Sequence, residues 1–190
     1  MRLCLLVAPL ALAKITVDPG HGGSDAGAVA QGYQEKFFNL DVSLRFRDLM
    51  LADAGRWTVQ MTRTTDVDVS LTARCNMANA WPANRFISIH TNSFSSSTAT
   101  GTECYSYAEG DTAAAMRNLI QSEMIAAWGL TNRGNKVGNF QVLRDTTMPA
   151  TLSEMGFITS PVDIKKLSDA TARQSMANAH LKAIRRHYGV

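Results

Sequence analysis

Two periodicities take turns along the chain. Trp57, Val59 and Met61 interleave with polar neighbours, the period-two pattern of a half-buried strand. Compact β-branched or apolar runs predict further strands over residues 14–18, 85–90, 102–107, 140–143 and 151–154. Elsewhere the apolar residues recur every three or four positions. Met116, Leu119, Ile120, Met124 and Ala127 make one stripe in a helix over 112–128, and Ala177, Leu181, Ile184 and Tyr188 make another over 172–188. A third helix is predicted over 70–80. Ser70 and Asp111 suit N-caps, and Gly129 suits a stop. Residues 37–51 obey both rules. Phe38, Leu40, Val42, Leu44 and Phe46 alternate as in a strand, while the continuation through Leu49, Met50 and Leu51 favours a helix buried on two sides by length. Periodicity leaves that segment open.

Interleaved strands and helices point to an α/β layered domain. The chain has 190 residues, 45% of them hydrophobic, enough for one domain with a substantial core. No internal repeat or composition break divides residues 14–190. The Ser/Thr-rich stretch at 91–101 reads as a surface connection, and 130–139, with two glycines, as a loop able to close over a ligand.

Residues 1–13, "MRLCLLVAPLALA", resemble a short export signal, with Arg2, an apolar stretch and an Ala11-Leu12-Ala13 cleavage pattern; a buried N-terminal strand is the alternative. The apolar stretch is too short to span a bilayer. Cleavage would remove Cys4 and leave Cys75 and Cys104, for which export permits but does not require a disulfide. A formal charge of +3 without a Lys/Arg cluster gives no support to nucleic-acid binding.

The chemistry concentrates in "ITVDPGHGGSDAGAV", where a strand ends in a glycine-rich turn that carries His21. Neither G-x-x-x-x-G-K-[ST] nor G-x-G-x-x-G is present, so the turn is not a phosphate cradle. A second histidine, His90, ends the apolar strand "FISIH". Neighbouring strand ends place such residues side by side, at the sheet edge where α/β sites form. Two histidines and a carboxylate make a common catalytic zinc set. HExxH is absent, so the carboxylate comes from elsewhere, and position leaves Asp18, Asp25, Glu35, Glu103 and Glu154 as candidates. Glu35 can fold back on His21. Glu154 ends another apolar segment, where a buried carboxylate is costly unless it is paired or working, which suits a general base. His180 and His187 lie on the last helix, where cations favour the C-terminal end, and are not expected to be ligands.

In order along the chain, "VDPGHGGSDAGAV", "EKFFNL", "RTTDVDVSLTARCNMAN", "FISIHTNS", "GTECY", "NRGNK" and "PATLSEMGF" resemble the zinc-dependent N-acetylmuramoyl-L-alanine amidases, the amidase-3 family of cell-wall hydrolases. The resemblance runs from Lys14 to the C-terminus. It implies a twisted, mostly parallel six-stranded sheet with helices on both faces. It also implies His21, Glu35 and His90 as zinc ligands and Glu154 as the catalytic glutamate. The implied reaction is hydrolysis of the amide between N-acetylmuramic acid and L-alanine of the peptidoglycan stem peptide. Asn39, Arg63, Arg74 and Asn92 also match family positions and read as supports rather than catalysts, with Asp25 and Glu103 as further supports. The expected protein is a monomer that acts at the periplasm or cell wall, exported or delivered as a phage-type lysin. Two rivals remain: a zinc endopeptidase that cuts the crosslinks, and an inactive wall-binding module, which would not need both Glu35 and Glu154.

Overall fold

The structure, a computed structural model, describes residues 13–53 and 55–190. The leader-like segment therefore lies outside the described residues except for Ala13, which opens β1 (Ala13–Pro19) and pairs with Trp57. The glycine turn follows, then the two-residue strands β2 (Val29–Ala30) and β3 (Tyr33–Gln34) and helix α1 (Glu35–Ala52). Next come β4 (Trp57–Met61), α2 (Leu71–Ala80), β5 (Arg85–Asn92), β6 (Thr102–Ser106) and α3 (Thr112–Trp128). The chain finishes with β7 (Asn132–Val137), α4 (Gln141–Arg144), β8 (Ala150–Phe157), α5 (Ile164–Leu167) and α6 (Ala170–Tyr188).

Six strands form one sheet in the order β4-β1-β5-β8-β6-β7. All neighbours are parallel except β6 and β8, which run antiparallel. Alternation along β5 sorts the core into two clusters. Ile87 and Ile89 join the larger one with residues of α1, α3 and α6, while Phe86 packs with Cys75 and Ala78 of α2 and Val142 and Leu143 of α4. Helices thus cover both faces, as expected for a sheet whose central strands are apolar on both sides. Cys104 lies in the first cluster and Cys75 in the second. Both are free and buried, and the sheet stands between them.

The open segment 37–51 is helical. Helix α1 buries Glu35 and Lys36 at its start, and within the segment Phe38, Asn39, Val42, Ser43, Phe46 and Met50 follow the three-to-four spacing. Asn39 and Ser43 are polar residues on the buried stripe, and that substitution makes the hydropathy pattern look like a strand. Ser70 and Asp111 cap α2 and α3, each accepting a hydrogen bond from the backbone N–H three residues on, and Gly129 ends α3 in the left-handed region.

Two expectations fail. Residues 140–143 form no strand: Phe140 caps the single turn α4, which buries the consecutive residues Val142 and Leu143 on one side, as an alternating strand would not. The expected mobile loop at 130–139 is instead the edge strand β7, paired in parallel with β6 from Thr102↔Asn132 to Ser106↔Val137. Its sequence, NRGNKV, is polar because it is a half-exposed edge, and lysine there discourages pairing with other chains.

Candidate active site

The parallel strands β1, β5 and β8 end along one edge. His90 pairs in register with Glu154, Glu154 pairs with Glu103 across β6, and Gly20 donates its N–H to Ile89. The edge therefore presents a row that runs from the glycine turn to Glu103. Glu35 enters from above, at the first turn of α1.

Three side chains converge there. His21 Nε2 lies 3.3 Å and His90 Nδ1 3.0 Å from Glu35 Oε1, and one ligand atom of each residue lies within 4.8 Å of the others. The imidazoles meet edge to face, with ring centroids 5.0 Å apart. Glu35 is fixed on both oxygens: Oε1 accepts from Thr91 N–H and Asn39 Nδ2, and Oε2 accepts from Ala28 N–H. Burial works against its charge, yet the two imidazoles hold its carboxyl far below the usual carboxylate range. The same balance acts on His21, where burial disfavours the cation but Glu35 and Asp25 raise its pKa. Asp25 Oδ2 sits 2.8 Å from His21 Nδ1, placed to accept a proton from that nitrogen and so to leave Nε2 for a metal. Glycine is required at two contacts. A Cβ on Gly20 would stand 2.2 Å from His90 Cε1, and one on Gly27 (φ +64°) 2.7 Å from Glu35 Oε2.

Glu154 stands beside this triad. Its Oε2 is enclosed without a hydrogen-bond partner among the described residues. Burial, and then the charges of Glu35 and Glu103, raise its pKa well above the usual value against the opposing pull of Lys136. A carboxyl whose neutral form is favoured, next to three side chains able to hold a metal, is suited to proton exchange.

A cleft of about 680 Å³ opens over these groups. Its lining includes His21, Glu35, His90 and Glu154 together with the apolar Val69, Leu71, Phe140 and Val142. The exposed Leu71 and Phe140 gave no functional signal in the sequence, where rim apolar residues look like core.

The other candidates find different employment. Asp18 lines the same cleft but its buried carboxylate is already engaged, ion-paired to Arg74 Nη1 at 2.7 Å and accepting from Thr62 and Ser88 hydroxyls. Arg74 also donates to the carbonyls of Pro19 and His21. Arg63, 3% exposed, donates only to backbone carbonyls; burial and the neighbouring Arg74 push its pKa down to about 10. Glu103 is neutralised by Lys136 and Arg133 and accepts from Asn92 Nδ2 and the Tyr105 hydroxyl. His180 and His187 lie outside the site, as expected, but His180 is no helix-end cation. It is buried against Met176 O and Ser153 Oγ, and burial pushes its pKa down to about 4.

The donor set of two imidazole nitrogens and one carboxylate oxygen, with Asp25 placed to accept from His21 Nδ1, is one that zinc accepts while keeping an open position. No helix among the described residues is long and apolar enough to cross a membrane.

Known proteins agree with this geometry. The model of the N-acetylmuramoyl-L-alanine amidase family Amidase_3 matches residues 15–186. N-acetylmuramoyl-L-alanine amidase CwlM of Bacillus licheniformis is 40% identical over 180 residues, spanning 94% of this chain and 70% of its own. The sporulation-specific N-acetylmuramoyl-L-alanine amidase of Bacillus subtilis (strain 168) is 39% identical over 180 residues, spanning 94% of this chain and 69% of its own. Among solved structures, the catalytic domain of the amidase CwlV from Bacillus (Paenibacillus) polymyxa var. colistinus superposes with a TM-score of 0.89 at 34% identity, covering 94% of this chain and 99% of its own. From its sequence, its six-stranded sheet and the residues gathered at the sheet edge, the chain belongs to the amidase-3 family of N-acetylmuramoyl-L-alanine amidases.

Proposed function

We propose that this chain is a peptidoglycan hydrolase that cleaves the amide between N-acetylmuramic acid and L-alanine of the stem peptide, with zinc held by His21, Glu35 and His90. The observation that carries it is the meeting of those three ligand atoms beside the partnerless Glu154 oxygen in the lining of an open cleft. Zinc bound there would polarise the scissile carbonyl and bring the pKa of water toward ~7. Glu154 Oε2 then takes the proton of the attacking water and delivers it to the departing amine nitrogen, one group serving as base and then as acid. Its raised pKa suits the uptake. With zinc bound, Asp25 would accept from His21 Nδ1 and leave Nε2 to the metal, and Thr91, Asn39 and Ala28 keep the Glu35 carboxylate from swinging toward solvent. Val69, Leu71 and Phe140 share the cleft lining with these groups and give an extended polymer an apolar surface to lie against.

The same reading places the enzyme outside the membrane, at the wall, where its polymer substrate lies, and as a monomer, since one chain supplies the whole donor set. Elution as a single species at the monomer mass tests the second point. For the function, zinc analysis of protein purified without added metal should give one zinc per chain. Ala in place of His21 or His90 should lose both metal and rate. A fully active, metal-free preparation would overturn the assignment.

A further inference from the structure

Arg63 follows β4 and is buried, yet all four of its hydrogen bonds go to backbone carbonyls: Nε to Pro19 O at 3.1 Å, Nη1 to Thr65 O at 3.1 Å, and Nη2 to Gly20 O and Lys36 O at 2.9 Å each. A buried cation without a carboxylate against it is expensive, and a packing role alone is met more cheaply by an apolar side chain. What distinguishes these carbonyls is their place in the chain. Gly20 immediately precedes His21, and Lys36 immediately follows Glu35. One nitrogen thus ties the strand-end turn to the first turn of α1, the two segments that carry two of the three ligand atoms. The third is reached by contact. The His90 ring rests directly on the bare Cα of Gly20, so a Gly20 carbonyl held in place also holds the surface under that ring. His21 itself sits at φ +59°, a backbone conformation that a non-glycine residue keeps only when its surroundings impose it.

We infer that Arg63 is the positioning residue of the metal centre: its guanidinium clamps the Gly20 and Lys36 carbonyls and so sets His21, Glu35 and His90 at ligating distance before any metal arrives. The planar fork is what the task needs. A lysine ammonium is a single point that cannot span Pro19, Gly20 and Lys36 oxygens together.

The test compares Arg63→Lys with Asp53→Asn, zinc affinity being read by competition with a chromophoric chelator and stability by urea unfolding of the metal-free protein. Asp53 lies at the far end of α1, where it accepts from Trp57 Nε1 and pairs with Arg56 and Arg185, so its variant loosens the same helix away from the metal. Arg63→Lys should weaken zinc binding about 10–100-fold, the range for groups that orient ligands, while Asp53→Asn should change it by less than about threefold. Zinc affinity of Arg63→Lys within about threefold of wild type, or equal losses in the two variants at equal loss of stability, would overturn the clamp. The clamp presupposes the metal assignment above, and the two fail differently. Wild-type protein that binds no zinc removes the assignment and the clamp together, whereas tight binding by both wild type and Arg63→Lys removes the clamp alone. If Arg63→Lys does not fold, hydrogen exchange on metal-free wild type decides. Amides of residues 20–23 and 35–38 should be protected already, and free exchange until zinc is added would overturn the inference.

Discussion

Replacing Glu154 by Gln should pull activity and stability in opposite directions. The amide is nearly isosteric, so the cleft keeps its shape, but it cannot accept the water's proton. General acid–base catalysis contributes about 10²–10⁴-fold, so turnover should fall by that factor, about 3–5 kcal/mol of transition-state stabilisation. Stability follows from the surroundings. Glu154 Oε2 has no hydrogen bond to lose, and its charge faces those of Glu35 and Glu103. For an acid whose pKa is raised in the fold, the unfolded chain releases the proton first, so wild-type stability falls as pH climbs above the ordinary carboxylate range. The variant has no such loss. In metal-free protein, its urea midpoint should therefore gain on that of wild type between about pH 5 and pH 8, a window that opens just above the ordinary Glu pKa. The assay pairs release of soluble stem peptide from purified wall with urea unfolding at the two pH values, zinc content being checked in the active preparation. Near-normal turnover with zinc bound would move the base to another residue. A stability difference that shrinks as pH rises would refute the electrostatic argument.

Glu35→Gln should differ from Glu154→Gln by losing zinc itself, which equilibrium dialysis against labelled metal would show; full zinc retention would strike Glu35 from the ligand set. Asp18→Asn leaves the buried Arg74 without its acid, and breaking such a pair costs about 3–5 kcal/mol. With a urea slope of about 1–3 kcal/mol per molar, the midpoint should drop by at least about 1 M, and a smaller drop would show that the pair is dispensable. His180 is neutral in the fold, so the unfolded chain binds its proton first, and stability is lost as pH falls from about 6.5 to about 4. At about 1.36 kcal/mol per pKa unit this amounts to about 3 kcal/mol, and His180→Leu should flatten that part of the pH–stability curve. An unchanged slope would place the acid sensitivity elsewhere.

The elements with one clear periodicity could be read directly from the chain. Trp57–Met61 and Thr112–Trp128 match their predicted bounds: Trp57 is the buried residue of the first, and Met116, Ile120 and Met124 keep a buried helical stripe in the second although Arg117, Gln121 and Glu123 are buried beside it. Where burial and polarity part company, the pattern misleads. Asn39 and Ser43 sit on the inner face of α1, one serving Glu35 and the other packed in the core, and they turn a helical stripe into apparent alternation. β7 carries no apolar signal because an edge strand needs none, and α4 is too short for a period to develop. His21 and His90 stood out because a polar, ligating residue ended each strand. Position alone left Glu35 among five acids, and only the fold brings it onto both histidines. Arg63 and Arg74 matched family positions, but the Pro19, Gly20, His21 and Lys36 carbonyls they hold are distant in sequence and invisible without the backbone.

Digestion of purified peptidoglycan by the zinc-loaded chain, followed by mass spectrometry of the products, tests the proposed reaction most directly. Intact stem peptides with a free L-alanine amino terminus should appear, disappear on chelation and return with added zinc. Stem peptides left on the glycan with new ends inside the crosslinks, or undiminished release in metal-free protein, would contradict it.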